Sequence, residues 1–220
     1  MTRNTFPKGI HPIPEKMRFV TESARQDILK NGISGFTIEK HTTKLRISKK
    51  TLYKYFPSKD EFIKAALQAH IDNIYACLKT VAFNPEQPLE TLLRLLQTVF
   101  EKISTVSSNT MYEVKLYYPE TWDQIEQLRT DIIQRLSSLF VIAQQRNIIR
   151  KNVNLDFISN LVMRIVQDIF QPEFLINSPY SLSTIIPMFT DLIMNGLLEK
   201  TETVDFFKLM QSIANKHQTE

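Results

Sequence analysis

The sequence predicts an all-α protein, and three observations carry that reading. Apolar residues recur at spacings of three and four along most of the chain, which stacks them on one face of a helix. No alternating run is long enough to support a sheet. The residues between the periodic stretches are those that start and stop helices: Ser, Thr or Asn ahead of them, and Pro or Asn-Gly behind.

The elements follow in order. Residues 1–14, with Pro7, Pro12, Pro14 and Gly9, read as a flexible arm. From Glu15 the positions Met17, Val20, Ala24 and Ile28 form one helix face, and Asn31-Gly32 stops it because Gly accepts the backbone that ends a helix. Thr37 is placed to cap a short helix running to about Leu45, and Ser48 a second from Lys49 to Phe56, which Pro57 breaks. Ser58-Lys59-Asp60-Glu61 spells a capping box, in which Ser58 and Glu61 satisfy each other's backbone donors. It opens a longer helix through Phe62, Ala65, Ala66, Ala69, Ile74 and Leu78.

Asn84-Pro85-Glu86-Gln87-Pro88 is the clearest linker. Beyond it Leu89, Leu92, Leu93, Leu96 and Ile103 make an apolar stripe, and Met111 to Tyr118 a short amphipathic piece. Pro119 suits the first turn of the next helix, whose stripe runs from Trp122 to Ala143. Asn154 caps a helix that stops at Gln171-Pro172, and Ser178-Pro179-Tyr180 is a turn. The segment Ile185 to Leu198 is apolar around most of its circumference and is expected to be buried on more than one side. A last helix carries Val204, Phe206, Phe207, Met210 and Ile213. The resulting division is an arm (1–14), a three-helix unit (15–62), a linking helix (63–83) and a helical remainder (84–217).

Composition narrows the function. The 220 residues are 43% hydrophobic, enough for a sizeable core. No segment approaches the roughly 18 consecutive apolar residues of a membrane span, and the start lacks a secretory h-region, so a cytoplasmic protein without membrane contact is expected. One cysteine, Cys77, excludes an intramolecular disulfide and a multi-cysteine metal site. The net charge of +4 divides unevenly: residues 1–70 carry 14 Lys/Arg against 6 Asp/Glu, and residues 71–220 carry 13 against 17. Such asymmetry suggests that the basic end meets a polyanion.

The two short helices supply the partner. Two helices joined by a tight turn, the second dense in Lys, Tyr and Thr, form the pattern of a DNA-reading helix-turn-helix. Ile38, Leu45, Ile47, Leu52 and Phe56 are the anchors that hold the pair together. From Ile38 to Lys59 there are seven Lys/Arg against the single acid Glu39, the bias that phosphate neutralisation favours.

The stretch Phe36-Thr37, Ile47-Ser48-Lys49-Lys50-Thr51-Leu52-Tyr53-Lys54-Tyr55-Phe56-Pro57-Ser58-Lys59 and Phe62 resembles the DNA-binding domain of TetR family regulators. Their signature is a Thr opening the second helix, then Val-Ser-x-x-Thr-Leu-Tyr-x-Tyr-Phe and Ser-Lys-x-x-Leu. The match is strong over about residues 36–62, and the helices from 15 to about 80 agree with it in order. The resemblance implies a bacterial transcription regulator, a repressor by default, that binds double-stranded operator DNA. By position it assigns DNA contact to Thr37, Lys49, Lys50, Thr51, Tyr53, Lys54, Tyr55 and Lys59. Thr37 would meet a phosphate at its helix start. His41 and Thr42 replace the family's usual aliphatic residue and Ala, which predicts looser packing of the motif's first helix. Arg46 stands where a turn Gly is usual, at a cost on the order of 1 kcal/mol if the backbone is left-handed.

The resemblance also implies a homodimer on a palindromic operator, with an interface built from Ile185, Phe189, Leu192, Ile193, Gly196, Leu197, Phe207 and Met210. It implies a small-molecule effector among the middle helices. Phe100, Met111, Tyr112, Tyr117, Trp122, Phe140, Met163, Phe170 and Phe174 are the candidate lining, and their character favours an apolar or aromatic effector. No cofactor and no metal are expected. Gly occurs only at 9, 32, 35 and 196, so no phosphate-cradling loop exists for an enzyme. The four histidines never fall three or four apart, which excludes a helical two-His metal pair; His41 and His70 are read as surface or core-edge residues. The other non-enzymatic reading, a helical module whose basic end binds an acidic protein, is separated from this one by sequence-specific, salt-dependent DNA retention.

Overall fold

A computed structural model describes residues 14–81 and 84–199. Ten helices fill the described chain: α1 (Glu15–Asn31), α2 (Ile38–Lys44), α3 (Lys49–Tyr53), α4 (Lys59–Thr80), α5 (Pro88–Ile103), α6 (Ser108–Tyr117), α7 (Pro119–Gln145), α8 (Leu155–Asp168), α9 (Pro172–Ile176) and α10 (Leu182–Leu197). The only β pairing among these residues is an isolated bridge between Ile149 and Leu198. The all-α expectation is met. Residues 1–13 of the arm, the last helix and the interface candidates Phe207 and Met210 lie outside the described residues.

Helix starts follow local chemistry. The side chains of Thr37, Ser48, Ser58 and Asn154 each accept a hydrogen bond from a backbone N–H three residues on. Pro88 and Pro119 sit in the first turns of α5 and α7, where the missing N–H costs nothing. The Ser58 capping box is only half formed: Glu61 sends its carboxylate to Lys64 at 3.4 Å and not back to the Ser58 backbone. The second short helix ends at Tyr53, earlier than the expected Phe56, because the N–H groups of Tyr55 and Phe56 both turn back to the Leu52 carbonyl. Helix α9 is an element the sequence reading missed. Gln171-Pro172 reads as a stop, but a proline opens a helix as readily as it closes one.

Two apolar clusters share α4 and α7. The first joins α1, α2, α3 and the start of α4 through Met17, Val20, Ile28, Ile38, Leu52 and Phe62, and continues into Met111, Val114 and Trp122. The second joins the far half of α4 to α5, α7 and α10 through Ile74, Leu78, Leu92, Leu95, Leu139 and Met194. A helix that contributes to both transmits displacement between them, since close-packed interiors do not absorb it. Helix α10 departs from expectation in part. Pro187, Thr190, Met194 and Leu197 are buried, whereas Met188 and Leu192 are 49% and 71% exposed, so on the described chain one face of the helix is open.

Candidate nucleic-acid interface and its link to an internal cavity

The helix-turn-helix is assembled around one aromatic residue. Phe62, fully buried at the start of α4, places its ring 4.9 Å from Phe56, 6.0 Å from Phe36 and 5.9 Å from His41. The looser packing expected of His41 and Thr42 is not observed. His41 is 2% exposed, with Nε2 3.1 Å from the Val20 carbonyl and Nδ1 3.3 Å from Asp27, and it therefore ties α2 to α1. The Thr42 hydroxyl donates to the Ile38 carbonyl at 2.8 Å, which satisfies it inside the core. His41 and His70 are both buried, a correction to the surface or core-edge placement read from sequence.

With the anchors turned inward, the basic residues face out. Lys49, Lys50, Thr51, Tyr53 and Lys54 are exposed, Tyr55 is half-buried, and Leu52 and Phe56 are in the core as packing residues. Lys49 pairs with Glu39 of α2 at 3.1 Å, an exposed contact that contributes little. The Lys54 ammonium lies 5.8 Å from the Tyr55 ring centroid. Thr37 is exposed at the N-cap of α2, and Lys59 is half-buried in the first turn of α4. The eight residues thus bracket two helix N-termini and the short helix between them.

Arg46 has φ 52°, the left-handed region that suits Gly. Arg46→Gly should therefore raise stability by roughly 1 kcal/mol, less the entropy Gly costs in the unfolded chain. Urea unfolding of the two proteins measures it, and a lower midpoint for the Gly variant would contradict the strain argument.

Helix α6 bonds to the turn that precedes α2. The Ser107 N–H donates to the Leu29 carbonyl at 2.8 Å, and the Thr110 hydroxyl reaches the carbonyls of Ile28 and Leu29 at 2.8 and 3.1 Å. Glu113, 6% exposed, accepts from the backbone N–H groups of Ile33 and Ser34. Gly32 is required between them. Its φ is +88°, and an added Cβ would lie 2.8 Å from Asn109 Nδ2 and 3.0 Å from Glu113 Oε2. At the other end of α6 the Tyr118 hydroxyl donates to Asp60 of α4 at 3.1 Å. None of these ties was visible in the sequence.

Thr110, Met111 and Val114 of α6 also wall a cavity of about 80 Å³. Leu29 of α1, Leu67, His70, Ile71 and Ile74 of α4, Ile103, Val106, Thr110, Met111 and Val114, and the α7 residues Thr121, Ile125, Leu128, Arg129 and Ile132 line it. Of the nine candidates chosen by aromatic or Met character, Met111 lines this cavity. Phe100 and Phe140 are buried in other parts of the core, and Tyr112, Tyr117 and Phe174 are exposed. Trp122 is buried beside the cavity wall, with Arg129 5.0 Å and Lys115 5.5 Å from its ring. Phe170 packs edge-on against Phe189 at 5.9 Å, and Met163 is half-buried.

His70 titrates far from its usual range. Burial first, then the positive charges of Arg25 and Lys102, lower its pKa to about 4, against a partial offset from Glu22. Because the unfolded chain protonates near the ordinary value, stability should fall as pH drops from about 6.5 to 4, by up to roughly 3 kcal/mol. Urea unfolding across that window should show the fall in the wild type and a flatter profile for His70→Gln. Parallel profiles would sink the assignment.

Comparison with known proteins agrees with this geometry. The family model for bacterial regulatory proteins of the tetR family matches residues 20–66. YvaF of Bacillus subtilis (strain 168), described as an uncharacterized HTH-type transcriptional regulator, is 21% identical over 187 residues, covering 84% of this chain and 96% of its own. Among solved structures, the ketosteroid transcriptional regulator KstR2 of Mycobacterium tuberculosis is similar at a TM-score of 0.54 and 14% identity, over 87% of this chain and 99% of that one. A gamma-butyrolactone receptor, an ArpA-like protein, is similar at a TM-score of 0.60 and 12% identity, over 91% and 97%. The matched segment falls on α1 to α4, which identifies that unit as a DNA-binding domain of the tetR family of bacterial regulatory proteins; the chain is a TetR-type, DNA-binding transcriptional regulator and not an enzyme.

Proposed function

We propose that the protein is a cytoplasmic repressor that binds a palindromic operator as a homodimer and is released by a small apolar or aromatic effector. The observation that carries this reading is the double role of α6, which walls the cavity through Thr110, Met111 and Val114 and hydrogen-bonds the end of α1 and the α1–α2 turn through Ser107, Thr110 and Glu113. An effector larger than the cavity must push α6 or α7 outward. Ser107, Thr110 and Glu113 then drag Ile28 to Ser34, and with them the start of α2. In a dimer that shift alters the spacing of the two recognition helices, which must match half-sites about one DNA turn apart, roughly 34–36 Å. The names of KstR2 and of the gamma-butyrolactone receptor support a small-molecule response in a protein of this fold.

In this reading residues 15–62 form the DNA-binding unit, with Lys49, Lys50, Thr51 and Tyr55 near base edges or groove phosphates and Thr37, Tyr53 and Lys59 on phosphates. The dimer forms on α10, where Leu192 and Gly196 are exposed and Ile185, Phe189 and Ile193 are half-buried. The sequence reading did not include α8 in that interface. Its Phe157 and Leu161, 64% and 37% exposed, extend the apolar surface, and such surface on a helical protein marks an interaction site.

A mobility shift with DNA from upstream of the protein's own gene, across a salt series, tests the reading. Wild type should bind with dimer stoichiometry and weaken steeply with salt. Lys49→Ala combined with Tyr53→Phe should cost about tenfold or more in affinity, on the order of 1 kcal/mol per lost contact. Binding that ignores both DNA sequence and the substitutions would refute it.

A further inference from the structure

Two polar side chains on the cavity wall offer a donor that has no hydrogen-bond partner among the described residues. His70 on α4 is 8% exposed and lines the cavity. Its Nδ1 lies 3.0 Å from Arg25 Nη1. A guanidinium only donates, so Nδ1 must accept, and the neutral ring then carries its proton on Nε2. No atom of the described residues accepts from that nitrogen. Thr121 on α7, also 8% exposed, lines the same cavity, and its hydroxyl makes no hydrogen bond among the described residues. The remaining polar lining is committed. Thr110 donates to the Ile28 and Leu29 carbonyls, and Arg129 pairs with Glu126 at 2.8 Å and donates to the Phe170 carbonyl at 3.1 Å.

We propose that this cavity reads a neutral carbonyl oxygen on an otherwise apolar ligand, with His70 Nε2–H and the Thr121 hydroxyl as its two donors. The proposal rests on the effector reading above and names the ligand class. A carbonyl oxygen has two lone pairs and no proton of its own to place, which matches two donors. A pure hydrocarbon would leave both donors unpaired in an apolar site, and an ammonium has nothing to offer Nε2–H. A carboxylate fits poorly because both guanidinium groups near the site, Arg25 and Arg129, are already paired with Glu22 and Glu126, and a buried charge needs its own counter-charge. The same ring connects to the DNA-binding end. What binds at Nε2 is one imidazole away from Arg25 on α1, the helix that leads into the helix-turn-helix.

Acetophenone and ethylbenzene provide the test, since they share a phenyl ring with a two-carbon chain and differ by the carbonyl oxygen. Binding to the full-length protein is measured by thermal-shift titration and by the 15N resonances of the His70 ring. The ratio of acetophenone to ethylbenzene affinity should be about tenfold higher in wild type than in His70→Phe, and several-fold higher than in Thr121→Val. His70→Gln keeps a donor for the ligand and an acceptor for Arg25, and should preserve the ratio. Should His70→Phe fail to fold, the near-isosteric Thr121→Val decides alone. Equal ratios in wild type and variants, absence of acetophenone binding, or tighter binding of benzoate than of acetophenone overturns the proposal. A parallel mobility shift separates the levels: DNA binding without carbonyl preference fails the ligand class only, whereas absence of specific DNA binding fails the regulator reading beneath it.

Discussion

Phe62→Ala should destabilise the protein by about 3–5 kcal/mol, the usual cost of emptying a fully enclosed aromatic site. The residue is 0% exposed and touches aromatic rings from the α1–α2 turn, α2 and the end of the α3 turn. No other aromatic ring among the described residues approaches all three, so its loss removes the common floor of both helix-turn-helix helices. Operator binding should fall with it, even in conditions where the far cluster around Leu92, Leu139 and Met194 keeps its helical signal. Urea unfolding followed by far-UV circular dichroism gives the first quantity and a mobility shift the second. Phe62→Leu, which restores most of the volume, should recover most of both. A Phe62→Ala protein within about 1 kcal/mol of wild type would show that the aromatic floor carries little energy.

Glu113→Ala should cost about 2–6 kcal/mol, from two buried backbone donors at about 1–3 kcal/mol each. The carboxylate serves the N–H groups of Ile33 and Ser34, which follow a glycine that no larger residue can replace without meeting Asn109 and Glu113. Hydrogen exchange should report the change where it happens, with protection lost at Ile33 and Ser34 ahead of the rest of α1. Glu113→Gln, which keeps one acceptor oxygen, should fall between the two proteins. If the Ala variant retains protection at both amides, water or a rearranged turn has replaced the carboxylate and α6 is not held through it.

Local chemistry was legible in the sequence because it is written within four residues. Thr37, Ser48, Ser58 and Asn154 cap the helices they were expected to cap, and the exposed basic face of α3 follows from its apolar anchors. What depends on distant partners was not legible. Glu113 meets residues 79 and 80 positions away, and inside an amphipathic stretch it looks like any solvated acid. The cavity escaped for a related reason. Its walls are aliphatic residues of α4 and α7, such as Ile71, Ile125 and Ile132, which carry the same stripe as plain core, while the aromatic residues that drew attention fill other places or face outward. His41 was misjudged because its value lies in Val20 and Asp27, acceptors on another helix.

Gly196 sets apart two properties that usually change together. A Cβ built there meets nothing within 4 Å among the described residues. Alanine would even favour the helix by roughly 0.5–1 kcal/mol. Any intolerance of bulk at this position must then come from beyond the described residues, and a size series of Ala, Leu and Trp converts one residue into a ruler for that outer boundary. Unaltered melting together with a falling solution mass would place that neighbour on a second copy of the chain, and a mass indifferent to size would count against the proposed dimer contact at this position.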